Sequence, residues 1–570
     1  MTSTPRGGAP DVGVPAVLAA RMTVAEQHEW LASHLGRHPV SRRSALKGGT
    51  GVLAAMGLAA APWTVAACAQ AAQTPVAVVG RHLAFGADPQ RQMALAGELT
   101  AAPAGPVVVD LGRDGAFGTT LPVEVRRLVS QVPQADGSIR GSEQFFVHAL
   151  ADGLAPGERY RYRFRLADGT TTAEAGFTTA PGPGSTAPWS FTAFADQGVD
   201  TVPPSGLDGF TNDDEPDDTR RTSAPATALV ERVAAQRPAF HLLAGDICYA
   251  DPSGEGHPVR SAGTRRAPGS FDACDPTVWT TYFAQIERSA ASTPWMFATG
   301  NHDMEALYDD DRSPGGATHG YGGHAARLDL PRTGPSGCPS VYTFRHGNVG
   351  VISLDANDLS TEIPTNAGYS GGAQVSWLRE TLTALRADPS VDWVVAFLHH
   401  CAFATSMAHA SDAGVRAAVA PLCDEFAVDL VLQGHNHQYE RTNPIRRGRS
   451  VLQAPDGATV RPATDGTTYV CVGSGGRPRY DWQPGVTDRY RGRTGPDSGV
   501  SVASYLALGE DAQQPDLVDW SQARYLDYAF VTVDVVPAPT GGGPTSLTVR
   551  ATTDTGQEID RVVLERRSRR

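Results

Sequence analysis

Lysine is almost absent from this 570-residue chain: Lys47 is the only one, and every other basic side chain is arginine. A P-loop lysine, a Schiff-base lysine and a Ser–Lys dyad are therefore excluded everywhere after residue 47. Positive charge is scarce as well, since the net charge at pH 7 is −13. This balance predicts no binding to nucleic acid, because sequence-independent binding needs basic groups to neutralise the phosphates.

Closely spaced cysteines are also missing. The seven cysteines stand at positions 68, 248, 274, 338, 401, 423 and 471, without any Cys-x-x-Cys pair. This spacing argues against a zinc ribbon and against an iron–sulfur cluster. If Cys68 is removed or lipidated on export, six cysteines remain, and an even set in an exported protein predicts up to three disulfides. Cys248 is interpreted as half of a disulfide or as a buried thiol.

Residues 1–71 contain the pattern of an export signal. The stretch 41–47, with Arg42 and Arg43, resembles a twin-arginine signal, and an apolar run follows at 51–67. That run is short and rich in Ala and Gly, so we expect no transmembrane span in the mature form. Residues 65–68 resemble a lipoprotein processing box with a lipid anchor on Cys68, whereas residues 69–71 resemble an ordinary cleavage site. Both readings predict a secreted or cell-envelope protein.

Residues 74–180 have the pattern of an all-β domain. The composition, 41% hydrophobic and 19% charged, is typical of a folded protein, and the length allows two or three domains. Short alternating segments such as 160–164 are separated by Gly and Pro, which predicts a seven-stranded sandwich of the fibronectin or immunoglobulin type. The Pro- and Gly-rich residues 181–188 are the predicted linker.

Five apolar, strand-like runs in the remaining chain each end near an aspartate, asparagine or histidine. Helical patterns at 225–236, 276–290 and 374–386 lie between them, which indicates an α/β fold. Because open α/β sheets bind ligands at the carboxyl ends of their strands, the polar residues are candidate site residues. The runs and their polar residues are 189–195 with Asp196; 239–244 with Asp246 and Tyr249; 295–299 with Asn301, His302 and Asp303; 393–398 with His399 and His400; and 428–432 with His435 and His437.

These residue types suit a metal centre. A carboxylate such as Asp246 can bridge two cations, because each of its oxygens carries lone pairs. A tyrosine such as Tyr249 binds metal as phenolate, which at neutral pH needs a strongly Lewis-acidic ion and so indicates Fe(III). An asparagine such as Asn301 binds through a neutral amide oxygen and limits the negative charge of the site.

In order and spacing, the five blocks resemble the signature of purple acid phosphatases, which are calcineurin-like metallophosphoesterases. The matching segments are Asp196-x-Gly198, Gly245-Asp246-x-x-Tyr249, Gly300-Asn301-His302-Asp303, His399 after its strand, and Gly434-His435-x-His437. The resemblance covers roughly residues 75–560. It implies an α/β fold, a four-layer αββα sandwich over 189–560, preceded by the fibronectin-like or immunoglobulin-like β domain. Residues 561–570 are then expected to be a basic tail.

The resemblance also implies a binuclear centre. It assigns the Fe(III) ligands as Asp196, Tyr249, His437 and bridging Asp246, and the ligands of a divalent ion (Zn, Fe or Mn) as Asn301, His399, His435 and the same Asp246. One departure concerns the fourth block, where Ala396 stands in place of the usual valine. Since His399 is followed by another histidine, His400 is the ligand instead if the alignment shifts by one residue.

The implied activity is that of an exported phosphatase that hydrolyses small phosphomonoesters by attack of a metal-bound hydroxide. His302 is the expected proton donor, with Asp303 orienting it or raising its pKa, and His409 is expected to reach the same phosphate. One alternative is a diesterase or nucleotide phosphohydrolase, given the long inserts at 199–222 and 304–340. The first insert is acidic and would repel polyanionic substrates. A remote alternative is a non-catalytic surface-binding protein.

The paired arginines generate the first prediction. Replacing Arg42 and Arg43 with Lys should leave the protein in the cytoplasm, because that stretch is the only targeting feature of the sequence. Immunoblots of cytoplasmic and exported fractions measure this, and normal export of the double variant would contradict it. Cys68→Ala, in the otherwise unchanged chain, should abolish labelling by a lipid precursor only under the lipoprotein reading.

Overall fold

The computed structural model describes residues 75–569, apart from 114, 208, 211–223, 255–272, 309–317, 407, 481–503 and 510–511. The predicted export region, Cys68 included, and most of the acidic insert lie outside the described residues. No helix in the described ranges is long and apolar enough to cross a membrane.

The first part of the described chain is entirely β. It forms two four-stranded antiparallel sheets, with strand orders β1-β2-β6-β5 and β4-β3-β7-β8. The all-β prediction is therefore confirmed, with eight strands instead of seven, while the domain boundaries and the fibronectin-type topology stay predictions. The strands are β1 Val78–Phe85, β2 Met93–Leu99, β3 Val108–Arg113, β4 Ala116–Pro122, β5 Glu124–Pro133, β6 Ile139–Ala151, β7 Arg159–Arg165 and β8 Ala175–Thr178.

The rest of the chain alternates strands and helices before it ends in long strands. Its strands are β9 Trp189–Phe194, β10 His241–Ala244, β11 Trp295–Ala298, β12 Tyr342–His346, β13 Val349–Ser353, β14 Trp393–Leu398, β15 Ser411–Asp412, β16 Leu430–Gln433, β17 Tyr439–Thr442, β18 Ile445–Arg446, β19 Arg449–Ser450, β20 Ala458–Val460, β21 Thr468–Val472, β22 Ser504–Gly509, β23 Ala512–Asp516, β24 Ser521–Tyr525, β25 Ala529–Val536, β26 Pro544–Thr553 and β27 Glu558–Arg567. Its helices are α1 Pro225–Gln236, α2 Val278–Ala290, α3 Gly322–Arg327, α4 Ala373–Ala387, α5 Ala413–Phe426 and α6 Pro462–Asp465, with short 3-10 turns at Asn301–Asp303, Thr318–Gly320, Ala356–Asp358 and Pro364–Asn366.

Two seven-stranded sheets form the centre of this region, in the orders β11-β10-β9-β25-β26-β27-β20 and β12-β13-β14-β16-β21-β17-β24. Apolar faces of α1 and α2 pack on the first sheet, for example Leu229 and Phe283 against Leu243. Those of α4 and α5 pack on the second, for example Leu382 and Val419. The predicted αββα sandwich is confirmed.

The five predicted strand ends belong to the parallel parts of these sheets. Strand β10 pairs in parallel with β9 and β11, and β16 pairs in parallel with β14 and β21. The carboxyl ends of the two sheets meet, since the Ala195 amide donates to the Val472 carbonyl oxygen at 2.9 Å. The loops that follow the strands therefore converge from both sheets on one place.

The expectation of a basic tail at residues 561–570 is wrong. Strand β27 continues to Arg567 and pairs with both β26 and β20. Val562 and Leu564 are fully buried, and Arg566, on the same face of the strand, pairs with the buried Asp429, so this face belongs to the core. Asp560 on this strand accepts hydrogen bonds from Tyr439 at 2.7 Å and from Arg441 at 2.5 and 2.8 Å, which joins the two sheets.

The expected disulfides are also absent from the described residues. Each of the six cysteines there is a buried free thiol. The physical reason is their placement, since Cys248, Cys274 and Cys423 belong to three different apolar clusters. Among the described cysteines, only Cys401 and Cys471 belong to the same apolar cluster. Both of their thiols contact the Gly434 carbonyl oxygen.

The inter-sheet ion pair generates the second prediction. Asp560→Ala should lower the free energy of unfolding by about 3–5 kcal/mol, because it leaves the buried Arg441 guanidinium without its carboxylate. Asp534→Ala is the matched control, since Asp534 pairs with Arg550 at 2.7 Å on the neighbouring strands but is 40% exposed. It should cost about 1 kcal/mol or less. Denaturant unfolding measures both, and equal losses would contradict the prediction.

Candidate metal centre

Four of the predicted metal ligands have a left-handed backbone. The φ angles are 57° at Asp196, 48° at Asp246, 60° at Tyr249 and 67° at His435. A non-glycine residue in this region costs about 1 kcal/mol or more and persists only where its surroundings impose it. Here hydrogen bonds between the loops impose this backbone conformation. The Asp196 amide donates to the Gly245 carbonyl oxygen at 3.1 Å, and the His435 amide donates to the Asp196 carboxylate at 2.9 Å.

The close approach of these loops requires glycine at Gly300. A Cβ atom there would lie 2.1 Å from Oδ1 of Asp246 and 2.8 Å from the His399 ring. The same loop places the His302 amide 2.9 Å from Asp246 Oδ1, to which it donates. The third block therefore packs directly on the proposed bridging carboxylate.

Asp303 has a different role from the one expected. Its carboxylate accepts hydrogen bonds from the amides of Gly300 at 2.8 Å and Ile247 at 3.0 Å, so it ties the second and third blocks together. His302 is oriented instead by the Asp251 carbonyl oxygen, 2.7 Å from its Nδ1. The expectation that Asp303 orients His302 is therefore wrong.

The predicted Fe(III) ligands form a triangle of donor atoms. The Tyr249 hydroxyl lies 3.2 Å from Oδ1 of Asp196 and 3.0 Å from Nε2 of His437, and the last two atoms are 3.4 Å apart. Two atoms that are each about 2.1 Å from one ion lie about 3.0–3.4 Å apart at angles between octahedral and tetrahedral. The triangle therefore has the dimensions of three ligands around one cation.

The predicted ligands of the divalent ion meet beside this triangle. Nε2 of His399 lies 3.1 Å from Oδ1 of Asn301 and 3.2 Å from Oδ1 of Asp246. The Asn301 amide nitrogen donates to the Gly254 carbonyl oxygen at 3.2 Å, which leaves its oxygen towards the site. His435 joins Asp246 and His399 in a group whose ligand atoms all lie within 4.8 Å of one another.

Backbone carbonyls set the orientation of two of these histidines. Nδ1 of His399 lies 2.9 Å from the Ala244 oxygen, and Nδ1 of His437 lies 2.6 Å from the Pro478 oxygen. A ring that donates from Nδ1 presents the lone pair of Nε2, which is the form that binds metal. In both rings Nε2 faces the carboxylates of the site.

The electrostatics fit cations in this site. Burial alone would lower the pKa of His399, but the carboxylates of Asp246 and Asp196 outweigh it and raise that pKa to about 10. Burial and the same two carboxylates hold the pKa of Tyr249 well above its ordinary value, so its phenolate needs a cation. Nε2 of His435 is buried without a hydrogen-bond partner among the described residues. The donor set and this orphaned nitrogen match a metal centre.

The two histidines predicted to handle phosphate lie around the same cluster. Nε2 of His302 is 3.9 Å from Oδ2 of Asp246, and its side chain is 17% exposed. Burial lowers the pKa of His302 to about 4, against the opposing effect of Asp246. The His409 ring packs against that of His435 at a tilt of 38°, with a centroid distance of 3.9 Å.

The structure places His399 and His400 differently. His399 faces Asp246 and Asn301, whereas both ring nitrogens of His400 are buried without a described hydrogen-bond partner. The His400 ring packs against His435, with centroids 4.3 Å apart. The geometry therefore favours His399 over the alternative His400 as the ligand.

Three residues near the cluster were not anticipated from the sequence. The guanidinium carbon of Arg477 lies 4.4 Å above the Tyr249 ring, and Tyr480 stacks on His437 at 4.0 Å. Glu362 contacts His409 and His435. Arg477 and Tyr480 follow the strand 468–472 and a glycine-rich turn, so a sixth strand end was the signal for them. Glu362 follows no strand end directly, and no local pattern marks it.

Known proteins resemble this chain in sequence and in fold. The calcineurin-like phosphoesterase family matches residues 222–439. An uncharacterised protein of Mycobacterium tuberculosis is 29% identical over 491 residues, or 82% of each chain. Purple acid phosphatase 23 of Arabidopsis thaliana is 26% identical over 360 residues, or 61% of this chain and 66% of its own length. A purple acid phosphatase from yellow lupin (Lupinus luteus) seeds shares the fold, with a TM-score of 0.61 and 18% identity over 86% of this chain and 74% of that one.

Proposed function

Because the chain is a phosphoric ester hydrolase with a calcineurin-like phosphoesterase domain and purple acid phosphatase relatives, we propose that it is an exported phosphomonoesterase with a binuclear centre of Fe(III) and a divalent ion. The observation that carries this proposal is the triangle of Tyr249, Asp196 and His437 beside the group of Asn301, His399 and Asp246. A phenol at hydrogen-bond distance from a carboxylate and an imidazole is the donor set suited to a ferric ion.

The proposed assignment follows the two groups of donors. Asp196, Tyr249 and His437 would hold Fe(III), and Asn301, His399 and His435 would hold Zn, Fe or Mn, with Asp246 shared. When bound, two such ions hold a phosphate and lower the pKa of a water molecule so that it can attack phosphorus near neutral pH. Asp246 keeps both positions close, and the hydrogen bond from the His302 amide fixes its orientation.

The proton for the leaving group would come from His302. The Asp251 carbonyl oxygen accepts the Nδ1 proton, so Nε2 faces the site and donates a proton when His302 is an imidazolium, which its lowered pKa of about 4 favours in acid. His409 would also contact the phosphate, with its Nδ1 held by Glu362 at 2.6 Å. Both roles place an imidazole nitrogen, and not a carboxylate, towards the dianionic substrate.

We also propose export through the twin-arginine route. The exported protein is then either secreted or anchored by a lipid on Cys68. Support comes from Arg42 and Arg43 and the apolar run after them. Export of a folded chain would allow the metals to be loaded before the membrane is crossed.

The third prediction tests the function. The purified exported protein should hold about two metal ions per chain, at least one of them iron. It should also hydrolyse p-nitrophenyl phosphate with a higher kcat/KM than bis(p-nitrophenyl) phosphate. Elemental analysis and parallel kinetics measure both. Full activity with zinc alone would contradict the Fe(III) assignment, and a preference for the bis-ester would favour the diesterase.

The fourth prediction isolates the tyrosine. Tyr249→Phe should abolish a broad visible absorption of the oxidised enzyme, because the phenolate donates charge to Fe(III), while part of the activity survives with Asp246 and His302 in place. Asp246→Asn is the contrasting variant and should lose both metal and activity, because it removes the carboxylate shared by the two positions. A native visible spectrum in Tyr249→Phe would show that Tyr249 is not a ligand.

A further inference from the structure

Glu362 is a buried carboxylate that faces two histidines of the candidate metal centre. It is 7% exposed, and Oε1 accepts a hydrogen bond from Nδ1 of His409 at 2.6 Å. Its other oxygen, Oε2, is buried without a hydrogen-bond partner among the described residues. That oxygen lies 3.4 Å from Nε2 of His435, which is itself buried and has no hydrogen-bond partner in the same part of the chain.

The distance between these two atoms is that of two ligands of one ion. Two neighbouring atoms that are each about 2.1 Å from a five-coordinate cation lie about 3.0–3.6 Å apart. A buried carboxylate oxygen and a buried imidazole nitrogen that face each other without a hydrogen bond are costly, because neither group recovers the hydrogen bonds it made in water. Glu362, His409 and His435 also form a group whose ligand atoms all lie within 4.8 Å of one another. A cation at His435 would satisfy both atoms.

The segment that carries Glu362 is held rigidly in place. The Asp412 carboxylate, which caps helix α5 by accepting from the Val415 amide at 2.9 Å, also accepts from Ser360 Oγ at 2.7 Å and from the Glu362 amide at 2.9 Å. The turn before Glu362 is thereby tied to the start of α5. Because this backbone is already fixed, the Glu362 side chain can bind at the site without a further loss of backbone conformational entropy.

We propose that Glu362 is a ligand of the divalent ion, bound through Oε2 beside His435 Nε2, while Oε1 holds His409. This inference rests on the proposed function, because it concerns the ion placed at Asn301, His399, His435 and Asp246. It gives that ion a second carboxylate and adds one negative charge to a site whose other unshared ligands are all neutral. A carboxylate that binds a cation and fixes a histidine also links the ion to the side chain that reaches the phosphate.

The test measures zinc affinity of the divalent position in the enzyme from which that ion has been removed by chelation. Competition with a chromophoric chelator gives the dissociation constant, and thermal unfolding confirms that the variants are folded. Glu362→Gln should weaken zinc binding about 100-fold or more, since even residues that only orient ligands change metal affinity about 10–100-fold. Asp358→Asn is the matched control, a buried carboxylate on the same segment that accepts from Ser370 and Gln374, and it should leave the affinity unchanged.

A second measurement separates direct binding from orientation of His409. In a His409→Ala background, Glu362→Gln should weaken zinc binding by the same factor, because a direct ligand does not act through His409. If the effect of Glu362→Gln disappears in that background, or if zinc affinity is unchanged in Glu362→Gln alone, the ligand assignment is overturned. Wild-type protein that binds no zinc at this position would instead refute the proposed binuclear centre.

Discussion

The structure depends on one constraint, which is that buried carboxylates and imidazoles from two sheets must face one another away from water. Asp196 and Asp246 are almost fully buried, and Glu362 nearly so. Uncompensated, such charges would oppose folding strongly, and a hydrogen-bonded phenol does not neutralise them. In the proposed centre, cations between the carboxylates would supply the missing charge, so metal binding and folding of these loops would be coupled. The left-handed backbone at four of the predicted ligands is sustained by the same packing.

The sandwich brings the carboxyl ends of strands from two sheets together at one site. The first sheet supplies Asp196, Asp246 and Asn301, and the second supplies His399 and the loop of His435. Neither sheet alone carries all the predicted ligands, so the relative position of the sheets decides the distances between them. One contact that holds this position is the ion pair of Asp560 on β27 with Arg441 on β17, which uses both carboxylate oxygens. A C-terminal strand without any predicted ligand therefore helps to position the candidate site.

The sequence predicted the features that local pattern encodes and failed on those that depend on distant contacts. Helix Pro225–Gln236 and strand Trp393–Leu398 have the predicted bounds, because apolar spacing and flanking proline are local signals. The basic residues after 560 were taken for a tail, because the pairing of β27 with β26 and β20 is not visible in its own composition. Glu362 was missed for the same reason, since only the fold brings it to His435. The disulfide expectation failed because an even count of cysteines says nothing about which of them meet.

Three histidines around the candidate site are oriented by residues that the five predicted strand ends do not mark. His302 is oriented by the Asp251 carbonyl, His409 by the Glu362 carboxylate and His437 by the Pro478 carbonyl. None of the three orienting residues belongs to the five blocks that carry the metal chemistry. If His302 and His409 contact the phosphate as proposed, two chains with identical blocks would present the same ions to different esters, because the segments around 251 and 362 set the direction of these two imidazoles. The segment around 478 orients a predicted metal ligand instead, so it would act on the ion and not on the ester.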